Sequence, residues 1–299
     1  MRIHLVTVPY RYDERDSGLG QGPAALVDAG IERTLQKHDH EISGPQVVDL
    51  PEDERVDGPV AANIGRLGAH TAEAVAAARQ AGAGALVLAG DDTAAIGVIA
   101  GLQVAHGAAT RIGLIWLDAH ADFNTPETSY SGILAGMPVA ILAGLAGPIW
   151  RGAAGLQATI PTDRIHILGP REVDEKEAAL LRSTDVRLLS DTELDDATLV
   201  RRTVELLAGH VDMIALHIDL DVLDPSLVPS SSTPSPDGLT LSEASEVLAA
   251  VLDTGKVATL TFAGLNPGAG ARGKRSVESA LKLIDRTIDR WRDSGTAPA

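Results

Sequence analysis

Short, continuously apolar runs alternate with longer stretches of helical periodicity along this chain. The runs over 3–8, 46–50, 84–88, 112–117, 164–168, 186–189, 213–218 and 257–262 predict strands. Most are apolar at every position, as strands of a parallel sheet covered on both faces are. Helical periodicity falls between them, over 58–81, 94–106, 175–183, 191–208, 242–252 and 277–292. This alternation predicts an α/β fold in one domain spanning 1–299. No internal repeat or linker interrupts it. The Ser/Pro-rich tract 230–238 directly follows an acidic strand end and reads as a site loop. The last stretch, 293–299, is expected to fray.

Ligands of open parallel sheets gather outside the carboxyl ends of the strands. Here those ends are acidic. The fourth predicted strand runs into Asp118-Ala-His120-Ala-Asp122, whose alternate side chains share a side if the backbone stays extended. The seventh runs into Asp219-Leu-Asp221 and the third into Gly90-Asp91-Asp92-Thr93. Each has a plain structural alternative. Asp92 could cap the following helix, and Asp219 and Asp221 could be a solvated strand end. Taken together they predict a metal site, because carboxylates crowded a few ångströms apart raise one another's pKa until a cation relieves them. Asp92, Asp118, Asp122, Asp219, Asp221 and His120 are oxygen and imidazole donors that suit Mn(II), with Fe(II), Co(II) or Mg(II) as alternatives. Six donors fit two divalent ions better than one. Such a pair activates a water as nucleophile without a Ser or Cys.

Composition narrows the chemistry further. Among 299 residues, Lys+Arg number 25 and Asp+Glu 41, a formal charge of −16 that disfavours nucleic acid and anionic membrane as partners. Cysteine is absent, which excludes disulfides, thiolate ligands and Cys nucleophiles. The first apolar run is too short for a signal-peptide core and no run is long enough to span a bilayer, so a cytoplasmic protein is expected.

These motifs resemble the ureohydrolase family, which includes arginase, agmatinase, guanidinobutyrase and formiminoglutamase. Gly18-Leu-Gly-Gln-Gly-Pro23 resembles its glycine-rich N-terminal loop, and Asp118-Ala-His-Ala-Asp-Phe-Asn-Thr-Pro126 and His217-Ile-Asp-Leu-Asp-Val-Leu-Asp-Pro225 resemble its second and third motifs. The resemblance implies a three-layer α/β/α sandwich around an eight-stranded, mostly parallel sheet, and a trimer or hexamer. It also implies roles. Asp118 and Asp219 would bridge two ions, Asp122 would bind the first, and His120 and Asp221 the second. Asp122 would orient the nucleophile and protonate the leaving amine, with His120 beside it. Asn124, Ser129 and Ser131 would read an α-carboxylate, Asp174 an α-amino group, and Thr233 would border the substrate.

The chain also departs from the family pattern. Ala89-Gly-Asp-Asp-Thr93 carries Asp92 where the family has a metal-binding His. Five carboxylates and two divalent ions leave one net negative charge, so the activated water should be less acidic than in the family pattern. Ala135 stands where a proton-shuttling His is expected, and Ile133 replaces a carboxylate-reading Asn. Gly264-Leu-Asn-Pro267 lacks the Glu that pairs with a guanidinium, and the room beside Gly264 could hold a substituent. The expected activity is therefore metal-dependent hydrolysis of a C–N bond in a guanidine or amidine, arginase-like, with a modified arginine such as N-hydroxyarginine as candidate substrate. An inactive relative with a metal- or ligand-binding regulatory role is the alternative. A deacetylase on the related metal-dependent fold is disfavoured, since the paired histidines such an enzyme uses as general base are missing.

Overall fold

The eight apolar runs assemble into one sheet in which every neighbouring pair is parallel, rather than mostly parallel as expected. The computed structural model describes residues 1–268 and 270–292, so the tail over 293–299 lies outside the described residues. In chain order the elements are β1 (Arg2–Val8), β2 (Tyr10–Arg11), β3 (Glu14–Arg15), α1 (Gly22–Asp28), α2 (Ile31–Leu35), β4 (Glu41–Val47) and α3 (Val60–Gln80). There follow β5 (Gly84–Ala89), α4 (Ala95–His106), β6 (Ile112–Leu117), α5 (Pro138–Leu142), α6 (Pro148–Ala153), β7 (Ile165–Leu168) and α7 (Glu175–Leu181). The chain closes with β8 (Arg187–Leu189), α8 (Ala197–His210), β9 (Met213–Asp219), α9 (Leu241–Leu252), β10 (Val257–Ala263) and α10 (Gly270–Arg290). The sheet order is β4-β1-β5-β10-β9-β6-β7-β8, and β2 and β3 form a separate antiparallel hairpin.

Strand alternation divides the interior into two cores, which makes the fold three-layered. On β5, Ala85, Val87 and Ala89 face a core closed by α3 to α7, through residues such as Ile64, Val98, Ile141, Trp150 and Leu181. Leu86 and Leu88 face the opposite core, closed by α1, α2, α8, α9 and α10 through Leu26, Ile31, Val200, Val247 and Leu283. Close packing of α3 on α4 depends on Gly97, where a Cβ would come 2.7 Å from that of Thr71 and collide with the Gly68 carbonyl. No helix among the described residues is long and apolar enough to cross a membrane.

Three expectations shift. The strand predicted at 46–50 is β4, beginning at Glu41, an edge strand with mostly exposed residues held by main-chain pairing to β1. Its polar start gives no apolar signal. The helix predicted over 191–208 is a 3-10 turn at Thr192–Asp195 followed by α8, because the Asp196 carboxylate accepts from the N–H groups of Thr198 and Leu199 at 3.0 and 3.1 Å and restarts the helix. The last helix begins at Gly270 rather than 277. The site-bearing strands β5, β10, β9 and β6 are neighbours and parallel, so their carboxyl ends open on one edge.

Candidate metal centre

At that edge the acidic motifs converge. Asp92 sits in the turn after β5, Asp118 just beyond β6, Asp219 at the end of β9 and Asp221 in the short 3-10 turn that follows. Two compact donor groups result: Asp118, His120 and Asp221, and Asp92, Asp118 and Asp122, with ligand atoms in each group within 4.8 Å of one another. Asp118 belongs to both. The extended arrangement expected for 118–122 is not what achieves this. Asp122 adopts φ 47°, left-handed and costly for a residue other than glycine. That turn sends Asp122 toward Asp92 while His120 stays with Asp221. The groups floor a cavity of about 530 Å³.

Electrostatics explains what such a floor can hold. Burial works against a charged His120, but the hydrogen bonds and charges of Asp118 and Asp221, 3.3 and 3.2 Å from Nδ1, push its pKa up to about 12. Burial and the Asp221 charge push Asp118 up to about 6. Burial, joined by the other carboxylates, raises Asp92, Asp122 and Asp219 well above the ordinary range. Asp122 Oδ2 is buried with no hydrogen-bond partner among the described residues. Carboxylates held together at this cost, with an unpartnered oxygen among them, fit divalent cations. The donor set is oxygen with one imidazole, as hard or borderline metals require.

The neighbouring acids have distinct jobs. The capping role that Asp92 might have had belongs to Asp91, whose Oδ1 accepts from Thr93 N–H at 3.0 Å and whose Oδ2 accepts from Tyr12 N–H at 2.8 Å. Asp92 instead accepts from His217 Nε2 at 2.8 Å. Asp219 lines the cavity but belongs to neither donor group; its Oδ1 accepts the Asp221 N–H at 2.6 Å. Its carboxylate fills the room beside Gly264. There a Cβ would overlap both carboxylate oxygens and φ is +76°, so Asp219 occupies the place of the missing side chain.

Of the residues expected to meet substrate, Asn124, Ser131, Asp174 and Thr233 line the cavity. Thr233 donates to Asp221 Oδ2 at 2.6 Å, which holds a donor carboxylate in place. Asn124 accepts from Thr128 through Oδ1 at 2.9 Å and sits 3.5 Å from Asp174 through Nδ2. Ser129 is absent from the lining, and its hydroxyl accepts from Gly132 N–H at 3.0 Å within the loop. Gly264 lies instead on a smaller cavity of about 160 Å³, which shares Asp92, Asp219, Thr233, Ile133 and Ala135 with the main one and adds Tyr12.

Sequence reasoning missed several supports. Glu177, buried, accepts from the N–H of Phe123 at 2.8 Å and of Asp174 at 3.2 Å, tying the 122–124 loop to the start of α7. The Asp-x-x-Glu spacing from Asp174 was its readable signal. Arg171 donates to the carbonyls of Asp221, Val222, Ser235 and Pro236, which fastens the 230–238 loop against the site. His217, a lone imidazole in an apolar strand, carries no sequence signal of its contact with Asp92.

Comparison with known proteins places this geometry. The Arginase family profile matches residues 1–288. An arginase of Bacillus caldovelox is 31% identical over 289 residues, covering 93% of this chain and 96% of that protein. The hepatic arginase of Aquarana catesbeiana is 30% identical, covering 94% and 91%. The solved Bacillus caldovelox arginase superimposes with a TM-score of 0.83 at 29% identity, over 96% of this chain and 98% of that one. A Bacillus subtilis formimidoylglutamase, at 17% identity and a TM-score of 0.75, shares the fold.

Proposed function

The chain belongs to the arginase family, and from that premise we propose that it hydrolyses a C–N bond in a guanidine or amidine less basic than arginine, N-hydroxyarginine being the type. It is an arginase-family, metal-dependent hydrolase. The observation that carries the reading is the pair of donor groups sharing Asp118 at the floor of one cavity. Asp92, Asp118, Asp122, His120 and Asp221 would hold two divalent ions, with Asp219 beside them. Bound there, the ions supply Lewis-acid polarisation of water and substrate.

The chain's own residues do the rest. The reaction forms a C–O bond from water and breaks a C–N bond, and both protons of the water leave its oxygen, one for the leaving nitrogen and one for the C=N nitrogen, which stays in the product as an amide nitrogen. Asp122 is the carrier to the leaving nitrogen, because its Oδ2 is buried and otherwise unpartnered among the described residues. His120, held between Asp118 and Asp221, keeps those carboxylates in place. Asn124, Ser131 and Asp174 line the approach and would bind the amino-acid end of the substrate. A less basic substrate suits the site, because Gly264 and Ala135, which border its side cavity, supply no charged partner for a guanidinium. The 160 Å³ side cavity beside Asp92 supplies the room for a substituent. Manganese is the ion we favour on donor chemistry; the resemblance implies a trimer or hexamer, and the cytoplasm is the compartment expected from the sequence.

The inactive alternative is not favoured, since both donor groups are intact despite Asp92. The test is amine release by the Mn(II)-loaded protein from N-hydroxyarginine, arginine and a panel of substituted guanidines and amidines. Expected is a kcat/KM for N-hydroxyarginine at least about tenfold above that for arginine. Arginine turned over as well or better contradicts the substrate. No turnover of any of them contradicts the catalytic reading.

A further inference from the structure

A short carboxylate makes a reliable ligand only if something fixes which oxygen it presents. Behind the cluster, Trp116 on β6 and His217 on β9 stand opposite each other in register. Their rings stack with centroids 3.7 Å apart and planes 4° from parallel. Two ring N–H groups leave this stack for two different acids. His217 Nε2 donates to Asp92 Oδ1 at 2.8 Å, and Trp116 Nε1 donates to Asp118 Oδ2 at 2.9 Å. His217 Nδ1 is buried without a partner among the described residues. A proton there would add an unpaired buried donor, so the ring carries its hydrogen on Nε2.

We propose that the Trp116–His217 stack is a positioning pair for the cation site, fixing the carboxylates of Asp92 and Asp118 so that an aspartate at 92 serves as a ligand. Each N–H engages one oxygen of its acid, leaving Asp92 Oδ2 and Asp118 Oδ1 free of these two donors. A neutral ring can do this inside the core where a Lys or Arg could not be desolvated cheaply. Rigid stacking adds that the two acids are set relative to each other, since moving one ring moves both. The inference rests on the metal reading above.

The test is Mn(II) titration of the metal-free full chain by calorimetry, with the visible absorption of the Co(II) form as a second readout. His217→Phe keeps a ring and deletes the N–H. One of two Mn(II) equivalents should weaken about 10- to 100-fold and the Co(II) bands should shift. His217→Gln, which restores an N–H donor, should recover much of the affinity. Trp116→Phe acts on the acid common to both groups, so both equivalents should weaken. If His217→Phe fails to fold, as circular dichroism of the metal-free form would show, Trp116→Phe carries the test. Unchanged affinity and spectrum in the ring variants, with two equivalents on the wild type, overturn the positioning role and leave the hydrolase reading standing. A wild type that takes up no Mn(II) removes both.

Discussion

The two halves of the acidic cluster meet at Asp118 but are stabilised differently. In the half with His120 and Asp221, an imidazole lies between two carboxylates, with a pKa pushed up to about 12. Burial works against Asp221, yet the His120 hydrogen bond and charge hold it below the usual carboxylate range. Positive and negative groups are matched within the chain. In the half with Asp92 and Asp122, Asp92 accepts a hydrogen bond from His217. Burial pushes that imidazole down to about 3, which makes it a neutral hydrogen-bond donor. Among the described residues, nothing comparable compensates Asp122. One half carries its own positive group; the other gathers negative charge with no matching positive side chain among the described residues, as a cation site would.

Asp118 is the residue both halves share. Asp118→Asn should abolish tight binding of both Mn(II) equivalents and lower kcat/KM by more than about 10³-fold, read by elemental analysis and steady-state kinetics. Loss of a single equivalent would show that the halves do not share a ligand. A sharper division comes from opposite effects on metal-free stability. His120→Asn leaves two buried carboxylates uncompensated and should destabilise the metal-free chain by about 3 kcal/mol. Asp122→Asn removes a buried, repelling charge and should stabilise the metal-free chain by about 1 kcal/mol while weakening Mn(II) binding. Denaturant unfolding in chelator measures both, and changes of the same sign would contradict the account.

The smallest effect uses a control histidine. His166 on β7 is buried, its Nδ1 has no partner, and burial pushes its pKa down to about 4. Its folded value lies below the ordinary one of about 6.5, so the unfolded chain binds the proton more readily. Stability is therefore full above about pH 6.5 and declines as pH falls toward 4. Between pH 6.5 and 5.5 the loss attributable to this residue should be about 1 kcal/mol. His166→Phe should flatten the wild-type slope by that amount, and an unchanged slope would mean that the ring is solvated.

Much of this arrangement was legible because burial and chemistry leave separate marks on a chain. A strand covered on both faces must be apolar throughout, so Asp118 and Asp219 stand out where such a strand ends. Their convergence follows from neighbouring parallel strands. What escaped depends on single torsions and on contacts between distant segments. No pattern announces that Asp122 turns left-handed, or that this assigns it and His120 to opposite halves. Asp91 and Asp92 are adjacent and chemically identical; only the fold decides that one caps a turn and the other faces His217. Beside Gly264, an absent side chain reads as empty space, yet the Asp219 carboxylate occupies it. β4 is polar because its place at the sheet edge demands nothing else.

If both halves bind a cation, the one with Asp92 included, manganese counted per chain after loading with Mn(II) and removing the free ion should come to two equivalents. One equivalent would mean that Asp92 and His217 do not complete a site, and none would contradict the metal-dependent reading of this chain altogether.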